Sequence, residues 1–177
     1  MEIKVSDIPD QGLSVKFTMK PDEFGDTGED LGVPGPVSAR MSVTKLGQQV
    51  ELSGEVSGVV ELLCSRCARR YKLDFTSGLD LHMVPLGSTA REEERELQPG
   101  ELDVEFYSGD VIDLSAVVVE QTLLQAPMKP LCREDCKGLC QYCGQDLNDG
   151  ECGCEPPTGH PGLSALKSLL DKEGGKE

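Results

Sequence analysis

Apolar and polar residues alternate with a period close to two along the first half of the chain. The alternation is clear in LSVKFTM (residues 13–19), and it returns between residues 37 and 85 in the runs VSARMSVTKLG, QQVELSGEVSGVVELLC and YKLDFTSGLDLHMV. Successive side chains of a β-strand point to opposite faces of a sheet, so this period is typical of strands with one buried face. The pattern predicts an opening strand followed by a meander of antiparallel strands.

Shorter polar segments separate the predicted strands. LGQQ (46–49) is a plausible turn between the first two runs of the meander, and CSRCARR (64–70) turns the second run into the third. Residues 21–36 are rich in Gly, Pro and acidic residues and have little to bury. Residues 88–101 form a strongly charged insertion. Both longer segments are predicted to be mobile loops, the second alternatively a short solvated helix.

The second half of the chain predicts helices. LDVEFY (102–107) is another short strand, and DLSAVVVEQTLLQAP then offers Asp113 as an N-cap and Pro127 as a stop signal. Near the end, leucines spaced along one face predict a terminal helix from Pro161 to the glycine pair at 174–175. The predicted fold class is α+β. It is an antiparallel β meander covered by one or two helices, with a C-terminal Cys-rich zinc-binding segment and a terminal helix.

Composition limits the core that this fold can bury. Of 177 residues, 37% are hydrophobic and 4% are aromatic, and there is no Trp. Metal or covalent cross-links would stabilise a chain with so lean a core. We expect a β-rich domain over residues 1–127, and a Cys-rich zinc-binding segment with the C-terminal helix over residues 128–177, docked on the first domain.

Net charge bears on the partners of the chain. The formal charge is −15, from 32 acidic and 17 basic residues. This balance opposes non-specific binding to nucleic acid, which depends on Lys and Arg, and it fits a basic partner or high solubility. The first residues lack a signal-peptide pattern, and no apolar run approaches the ~20 residues of a membrane span. The expected location is cytoplasmic.

Eight cysteines are the most informative feature of the sequence. Six lie within LCREDCKGLCQYCGQDLNDGECGC (131–154), and the other two lie far upstream in CSRC. In a chain without a secretory signal, this number favours metal ligands over disulfides, and a C-x-C pair also closes badly into a disulfide. Zn²⁺ prefers four N or S ligands in a tetrahedron, so eight cysteines fit two sites.

One predicted zinc site is local. CQYCG is a C-x-x-C turn relieved by Gly144, and NDG (148–150) is a strong hairpin signal that returns the chain to CGC. The two cysteines of CGC project to the same side of an extended segment. This site, which we call site 2, consists of Cys140, Cys143, Cys152 and Cys154.

The remaining four cysteines predict a long-range site. The i, i+4 spacing of CREDC places both thiols on one side of a helical turn, and CSRC is a second knuckle between two strands. The 64 residues from 68 to 131 separate the two pairs, and closing so long a loop brings a large entropic benefit. The site would clamp the C-terminal arm onto the sheet. Site 1, as we call it, consists of Cys64, Cys67, Cys132 and Cys136.

Spacing leaves other arrangements open. Another grouping joins CREDC to CQYC, as Cys132, Cys136, Cys140 and Cys143, and leaves the other four for the second site. Iron is an alternative metal, because CxxCG knuckles also occur in rubredoxin-like sites, although those usually contain two C-x-x-C pairs. Neither histidine is expected to be a ligand, since His82 lies in an alternating strand and His160 precedes Pro161.

Four basic residues surround the first knuckle. No acidic residue occurs between Cys64 and Lys72, while Arg66, Arg69, Arg70 and Lys72 contribute four positive charges. One interpretation is charge compensation for an anionic zinc–tetrathiolate centre. The other is a small phosphate-facing patch that contacts RNA on an otherwise acidic surface.

The order of these motifs resembles a known family. The run LLQAPMKPLCREDCKGLCQYCGQDLNDGECGC followed by LSALKSLL, with CSRCARRY upstream, is similar to the bacterial and plastid family of large ribosomal RNA subunit accumulation proteins, the YceD family. The resemblance covers about residues 40–172. It departs at GHPGL, where the family pattern usually reads like Asp-Pro-Arg-Leu, so no role is expected for a charged residue there.

The resemblance implies a role in the synthesis, processing or stable accumulation of large-subunit ribosomal RNA. The implied partner is that RNA or a basic ribosomal protein. The sequence offers no catalytic constellation, since two filled four-cysteine sites leave no open metal position for a substrate. We therefore expect a non-enzymatic zinc-binding factor in ribosome biogenesis. The alternatives are a redox-switched zinc protein, either a thiol sensor or a chaperone, and a rubredoxin-like iron electron carrier.

Overall fold

The computed structural model describes residues 1–86 and 104–154. The chain divides into two compact units, of which the first is Met1–Cys136 and the second begins at Lys137. The described residues are mostly β-sheet with one α-helix, which is consistent with the predicted α+β class. The expected terminal helix and the charged segment 88–101 lie outside the described residues.

The elements of the first unit follow one another in a simple order. The strands are β1 (Glu2–Lys4), β2 (Leu13–Met19), β3 (Leu31–Gly32), β4 (Val37–Leu46), β5 (Gln49–Leu63), β6 (Arg70–Pro85), β7 (Val104–Tyr107) and β8 (Val111–Asp113), and helix α1 is Leu114–Leu123. Two short 3₁₀ helices, Val5–Asp7 and Pro21–Phe24, precede and follow β2.

A six-stranded sheet dominates this unit, with the order β2-β4-β5-β6-β7 and with β3 paired to β5. The pairs from β2 to β6 are antiparallel, whereas β7 runs parallel to β6. The β4–β5 turn has Gly47 at its first central position with a φ of 67°, as a type II′ hairpin turn requires. A separate two-stranded sheet pairs β1 with β8.

The alternating pattern places one face of the sheet in the core. On β4, Val37, Met41 and Val43 are buried, whereas Ser38 and Arg40 between them are exposed. Helix α1 contributes Leu114 and Val118 to the same core, and it contacts β5. The carboxylate of Asp113 accepts a hydrogen bond from the Ser115 amide at 2.9 Å, so it caps the helix N-terminus.

The acidic segment between β2 and β4 contributes a side chain to the core, which its composition does not indicate. Phe24 is buried in the core, and the Glu23 carboxylate accepts a hydrogen bond from the Lys20 amide at 2.6 Å. The expectation that residues 21–36 have little to bury is therefore wrong at Phe24. Gly, Pro and acidic residues dominate the composition of the segment, so its average composition does not reveal that one aromatic side chain packs in the core.

Candidate metal centres

The connection between β5 and β6 is a tight knuckle that carries two cysteines of site 1. The Cys64 amide donates a hydrogen bond to the Arg69 carbonyl, and the Ala68 amide donates to the Cys64 carbonyl, both at 2.9 Å. Ala68 has a φ of 54°, a left-handed conformation that costs free energy in a residue with a Cβ. The knuckle therefore holds Cys64 and Cys67 in a fixed and strained turn at the end of the sheet.

Residues 130–136 bring the other two cysteines of site 1 to this knuckle. The Ser65 amide donates a hydrogen bond to the Pro130 carbonyl at 2.8 Å. CREDC forms a bend and a single turn, in which the Cys136 amide donates to the Arg133 carbonyl at 3.2 Å. The expected helical turn is absent from this segment. Among the described contacts, its only internal backbone hydrogen bond joins residues three apart, whereas an α-helical turn joins residues four apart.

Arg66 fastens the two segments together. Its Nη1 donates hydrogen bonds to the Cys136 carbonyl at 2.8 Å and to the Glu134 carbonyl at 3.3 Å. This role has no sequence signal, because the acceptors are main-chain carbonyls that lie 68 and 70 positions away. The contact adds positive charge beside the sulfur atoms of site 1.

The geometry of site 1 fits a tetrahedral metal ion. The four sulfur atoms lie within 4.8 Å of one another, and the Sγ–Sγ distances are 3.8 Å for Cys64–Cys136 and 3.7 Å for Cys67–Cys132. A tetrahedron with metal–sulfur bonds of ~2.3 Å has edges of about 3.8 Å, whereas a disulfide bond is only about 2.0 Å long. All eight cysteines are free thiols. The donor set and spacing therefore match a zinc–tetrathiolate site.

Site 1 is largely shielded from solvent. Cys64 and Cys136 are each 2% exposed and Cys67 is 5% exposed, while Leu131 and Tyr71 pack against them. Burial raises the pKa of the Cys64 thiol, but amide groups of Cys132, Cys67 and Arg66 stabilise its thiolate, and the resulting pKa is about 6. Burial and the neighbouring thiols raise the pKa of Cys132 to about 12. Without a metal ion, the cluster thus holds both a thiolate and protonated thiols at neutral pH.

Site 2 is built on a short hairpin within the second unit. Leu139 and Asp146 form an antiparallel bridge, the Cys140 amide donates to the Gln145 carbonyl at 2.8 Å, and the Leu147 amide donates to the Gly138 carbonyl at 2.9 Å. The turn between Cys140 and Gln145 contains the C-x-x-C motif.

The knuckle of site 2 turns at Gly144. Gly144 has a φ of 73°, which a residue with a Cβ rarely adopts. Its amide donates to the Cys140 carbonyl at 2.9 Å, and the Tyr142 amide points at the Cys140 sulfur at 3.4 Å. An amide directed at the sulfur favours the thiolate, which is the form that binds a metal.

A second turn returns the chain to the last two cysteines. The Asp146 carboxylate accepts hydrogen bonds from the Asn148 amide at 2.8 Å and from its Nδ2 at 2.6 Å. The Asn148 Oδ1 in turn accepts from the Lys137 amide at 2.9 Å. Asn148 therefore links this turn to the start of the hairpin, a use that the NDG motif does not reveal.

The four sulfur atoms of site 2 also lie within 4.8 Å of one another. They are more open than those of site 1, because Cys143 and Cys154 are exposed, Cys152 is half-buried and Cys140 is buried. Amide groups of Cys143 and Tyr142 lower the pKa of Cys140 to about 6. The neighbouring Cys143 and Cys152 raise the pKa of Cys154 to about 12.

The structure brings the eight cysteines together in the two groups of four that the spacing favours. The metal and its identity remain predictions. His82 lies on β6, where its Nδ1 is 3.5 Å from a carboxylate oxygen of Glu51, and it belongs to neither group. His160 lies outside the described residues.

Three of the four predicted basic residues have protein partners. Arg66 binds the main chain of residues 134–136, as described above, and Arg70 donates to the Glu29 carbonyl at 2.9 Å and lies 3.7 Å from the Glu61 carboxylate. Arg69 and Lys72 are exposed, and Arg69 has a further interaction within the protein. These contacts engage Arg66 and Arg70 within the protein, and both charge compensation at site 1 and an RNA-contacting patch stay predictions.

Within the described residues, none of the helices has the length and apolar character that crossing a membrane requires.

Comparison with known proteins gives consistent matches. Residues 52–170 match the family model of the large ribosomal RNA subunit accumulation protein YceD. A relative from Zea mays, a chloroplastic large ribosomal RNA subunit accumulation protein YCED homolog 1, is 27% identical over 158 residues, which are 76% of this chain and 54% of that protein. Its counterpart from Arabidopsis thaliana is 24% identical over 163 residues, 80% of this chain and 51% of that protein.

A mycobacterial protein is a third relative. An uncharacterized protein of Mycobacterium leprae is 26% identical over 113 residues, which are 63% of this chain and 49% of that protein. The chain thus spans about half the length of the curated relatives that it matches. No solved structure matches the chain.

Proposed function

The chain belongs to the YceD family of large ribosomal RNA subunit accumulation proteins, and from this premise we propose that it is a non-enzymatic, zinc-binding factor in the accumulation of large-subunit ribosomal RNA. The observation that carries the proposal is the family match over residues 52–170, a range that includes every cysteine of both sites. The proposed partner is large-subunit ribosomal RNA or a basic ribosomal protein, and the proposed location is the cytoplasm.

The choice of zinc rests on the donor set. Four thiolates are soft ligands that favour Zn²⁺ or iron over hard cations such as Mg²⁺. The edge distances of 3.7 and 3.8 Å in site 1 fit Zn–S bonds of ~2.3 Å. In site 2 the spacing C-x-x-C followed by C-x-C differs from the paired C-x-x-C knuckles of rubredoxin-like iron sites. Metal analysis with a visible spectrum tests this choice, since bound iron would give colour.

The proposed role of both metals is structural. Four sulfur ligands complete a tetrahedron and leave no position for a substrate or a reactive water. Site 1 would hold residues 130–136 against the β5–β6 knuckle within the first unit. In the described part of the second unit, residues 137–154, only Gly138 and Cys140 are buried. A segment with so little core needs metal binding to supply its folding free energy.

Depletion of the protein in its source organism tests the proposed function. We expect the ratio of large-subunit to small-subunit ribosomal RNA to fall, and re-expression of the wild type to restore it. Re-expression of Cys67→Ser and Cys143→Ser separates the two sites, and Ser65→Ala serves as the control within the first knuckle. An unchanged ratio after depletion would contradict the proposal.

A redox-switched zinc protein is the second candidate. The exposure of Cys143 and Cys154 favours it, because accessible thiolates are the ones that peroxide oxidises. Hydrogen peroxide would convert two thiolates and two protons into a disulfide and two waters, with release of the metal. This candidate predicts reversible loss of one zinc equivalent at peroxide concentrations that leave site 1 intact. Zinc release without reversal by a thiol reductant would count against it.

A further inference from the structure

The outward faces of β2 and β4 form a surface whose composition differs from that of the chain. Neither strand contains an acidic residue, although the chain has 32 acidic and 17 basic residues. Apart from Leu46 at the end of β4, the exposed side chains of the two strands carry hydroxyl or cationic groups. We call this surface the basic hydroxyl face, and it consists of Ser14, Lys16, Thr18, Ser38, Arg40 and Ser42.

Two cations stand next to each other at the centre of this face. Lys16 on β2 and Arg40 on β4 are direct partners in the antiparallel register, so both side chains project from the same side of the sheet. Like charges directly opposite each other destabilise a sheet. Among the residues that the structure describes, no hydrogen bond or ion pair to either side chain is found. A bound anion would relieve this repulsion.

Hydroxyl groups flank the two cations on both sides. Thr18 pairs with Ser38 in the next outward row, where their oxygens are 3.4 Å apart, and Ser14 pairs with Ser42 in the row on the other side. A depression of about 250 Å³ includes Lys16, Thr18, Ser38 and Arg40 in its lining. Lys, Arg, Ser and Thr are the side chains that proteins use to contact phosphate and sugar oxygens.

The rest of the same sheet face limits where a polyanion can lie. The outward positions of β5 and β6 carry five carboxylates, namely Glu51, Glu55, Glu61, Asp74 and Asp80. Glu55 is the β5 partner of Arg40, and it also borders the depression. Repulsion by these carboxylates would confine a bound polyanion to β2 and β4.

The absence of outward aromatic side chains narrows the kind of nucleic acid. Proteins that bind single strands stack the bases on aromatic rings, but the one aromatic residue of β2 and β4, Phe17, alternates with the exposed positions and packs against the core. Double-helical RNA instead presents phosphates and 2′-hydroxyls, which hydroxyl and cationic side chains contact. We propose that the basic hydroxyl face binds the sugar–phosphate backbone of double-helical RNA without reading its base sequence.

This inference rests on the proposed function for the identity of the RNA. Its test uses a generic RNA hairpin and therefore does not depend on the proposed function. The probe is a fluorescein-labelled RNA hairpin with a 16-base-pair stem, and anisotropy is measured at several salt concentrations. We expect Lys16→Ser/Arg40→Ser to lower the slope of log K against log salt by about two, since each lost phosphate contact removes about one. Binding should weaken to the same extent for stems of unrelated sequence.

The matched control removes the same charge elsewhere in the first unit. Lys4→Ser/Lys129→Ser changes two exposed cations that lie off the basic hydroxyl face. We expect this variant to keep the wild-type slope within about half a unit. Circular dichroism and zinc content verify that both double variants fold. A single-stranded oligouridylate should bind more weakly than the hairpin to the wild type.

Several results would overturn the inference. One is an equal slope of log K against log salt for the wild type and Lys16→Ser/Arg40→Ser, and another is an equal loss of hairpin affinity in both double variants. The others are tighter binding of oligouridylate than of the hairpin, and displacement of the hairpin by a polyglutamate peptide. If depletion leaves the ribosomal RNA ratio unchanged while the hairpin data are as expected, the proposed function fails and the RNA-binding face stands. If the ratio falls but the slopes are equal, only the RNA-binding face fails.

Discussion

The Arg66 side chain donates a hydrogen bond to the main-chain carbonyl of Cys136 at 2.8 Å, so a residue of the β5–β6 knuckle holds the far end of CREDC in place. We expect Arg66→Ala to loosen site 1, because residues 132–136 then lose their side-chain tether while the four sulfur ligands remain. Hydrogen bonds from a charged donor contribute about 1.5–3 kcal/mol, and exposure of Arg66 places the effect at the lower end. The measurement is the rate of zinc transfer from site 1 to a chromogenic chelator. Lys72→Ala is the control, and equal rates in both variants would show that the contact is dispensable.

The two groups of cysteines predict a metal stoichiometry of two. Cys67→Ser should remove one zinc ion per chain and Cys143→Ser the other, because a serine hydroxyl is a poor replacement for a thiolate ligand. Metal content of the purified proteins, measured by atomic emission, checks both substitutions. The grouping would be refuted if either single substitution emptied both sites, or if the wild type held only one ion.

The sequence predicts the local parts of this fold well. Strand β2 and the N-cap of α1 follow from short-range patterns, in LSVKFTM and in Asp113 before an apolar run. Site 2 is equally local, because its four ligands lie within 15 residues, from Cys140 to Cys154, and a hairpin signal stands between them. Patterns of this kind depend on periodicity and turn chemistry, which are written into consecutive residues.

Long-range relationships were not predictable in the same way. Nothing in the sequence shows that β7 pairs parallel with β6. Nor does it show that β1, at the start of the chain, pairs with β8, which lies more than 100 residues later. Site 1 follows from the sequence only by subtraction, since the cysteines left over from site 2 number four. The neighbouring positions of Lys16 and Arg40 depend on the register between β2 and β4, which is fixed only by tertiary packing.

Gly54 lies where β5 passes close to the backbone of β4. A Cβ at this position would overlap the Arg40 carbonyl oxygen and would be 2.8 Å from the Met41 Cα, so the strands must separate to accommodate it. We expect Gly54→Ala to destabilise the first unit by about 1–3 kcal/mol, the usual effect of overpacking. Urea unfolding measures the change.

Gly78→Ala is the matched control for this substitution. Gly78 lies on β6, where an added Cβ would have no atom within 4 Å, and its φ is not positive. Its replacement should leave the unfolding midpoint unchanged or raise it slightly, because alanine reduces the conformational entropy of the unfolded chain. Equal destabilisation by the two alanines would contradict the close approach at Gly54.

The pKa values of the cysteines predict how metal retention depends on pH. The pKa of Cys64 is lowered to about 6 despite its burial, because amide groups stabilise the thiolate, and amide groups also lower the pKa of Cys140 to about 6. Each site therefore keeps a thiolate at pH 7, whereas Cys132 and Cys154, whose pKa values are raised to about 12, release protons when the metal binds. Protons compete with the metal, so affinity should rise with pH and retention should collapse as pH falls through about 6. Competition with a fixed concentration of chelator between pH 8 and 5 measures this, and a flat profile would contradict it.

The difference in exposure between the two sites predicts an order of metal loss. Cys143 and Cys154 of site 2 are exposed, whereas Cys64, Cys67 and Cys136 of site 1 are buried. A chelator reaches exposed sulfur ligands directly, but it reaches buried ones only after local opening of the structure. Zinc release from the wild type should therefore have two phases of one equivalent each. Cys143→Ser should abolish the fast phase and Cys67→Ser the slow phase. If Cys143→Ser instead removed the slow phase, site 1 would be the site that loses its metal first. Burial of its cysteines would then not explain metal retention.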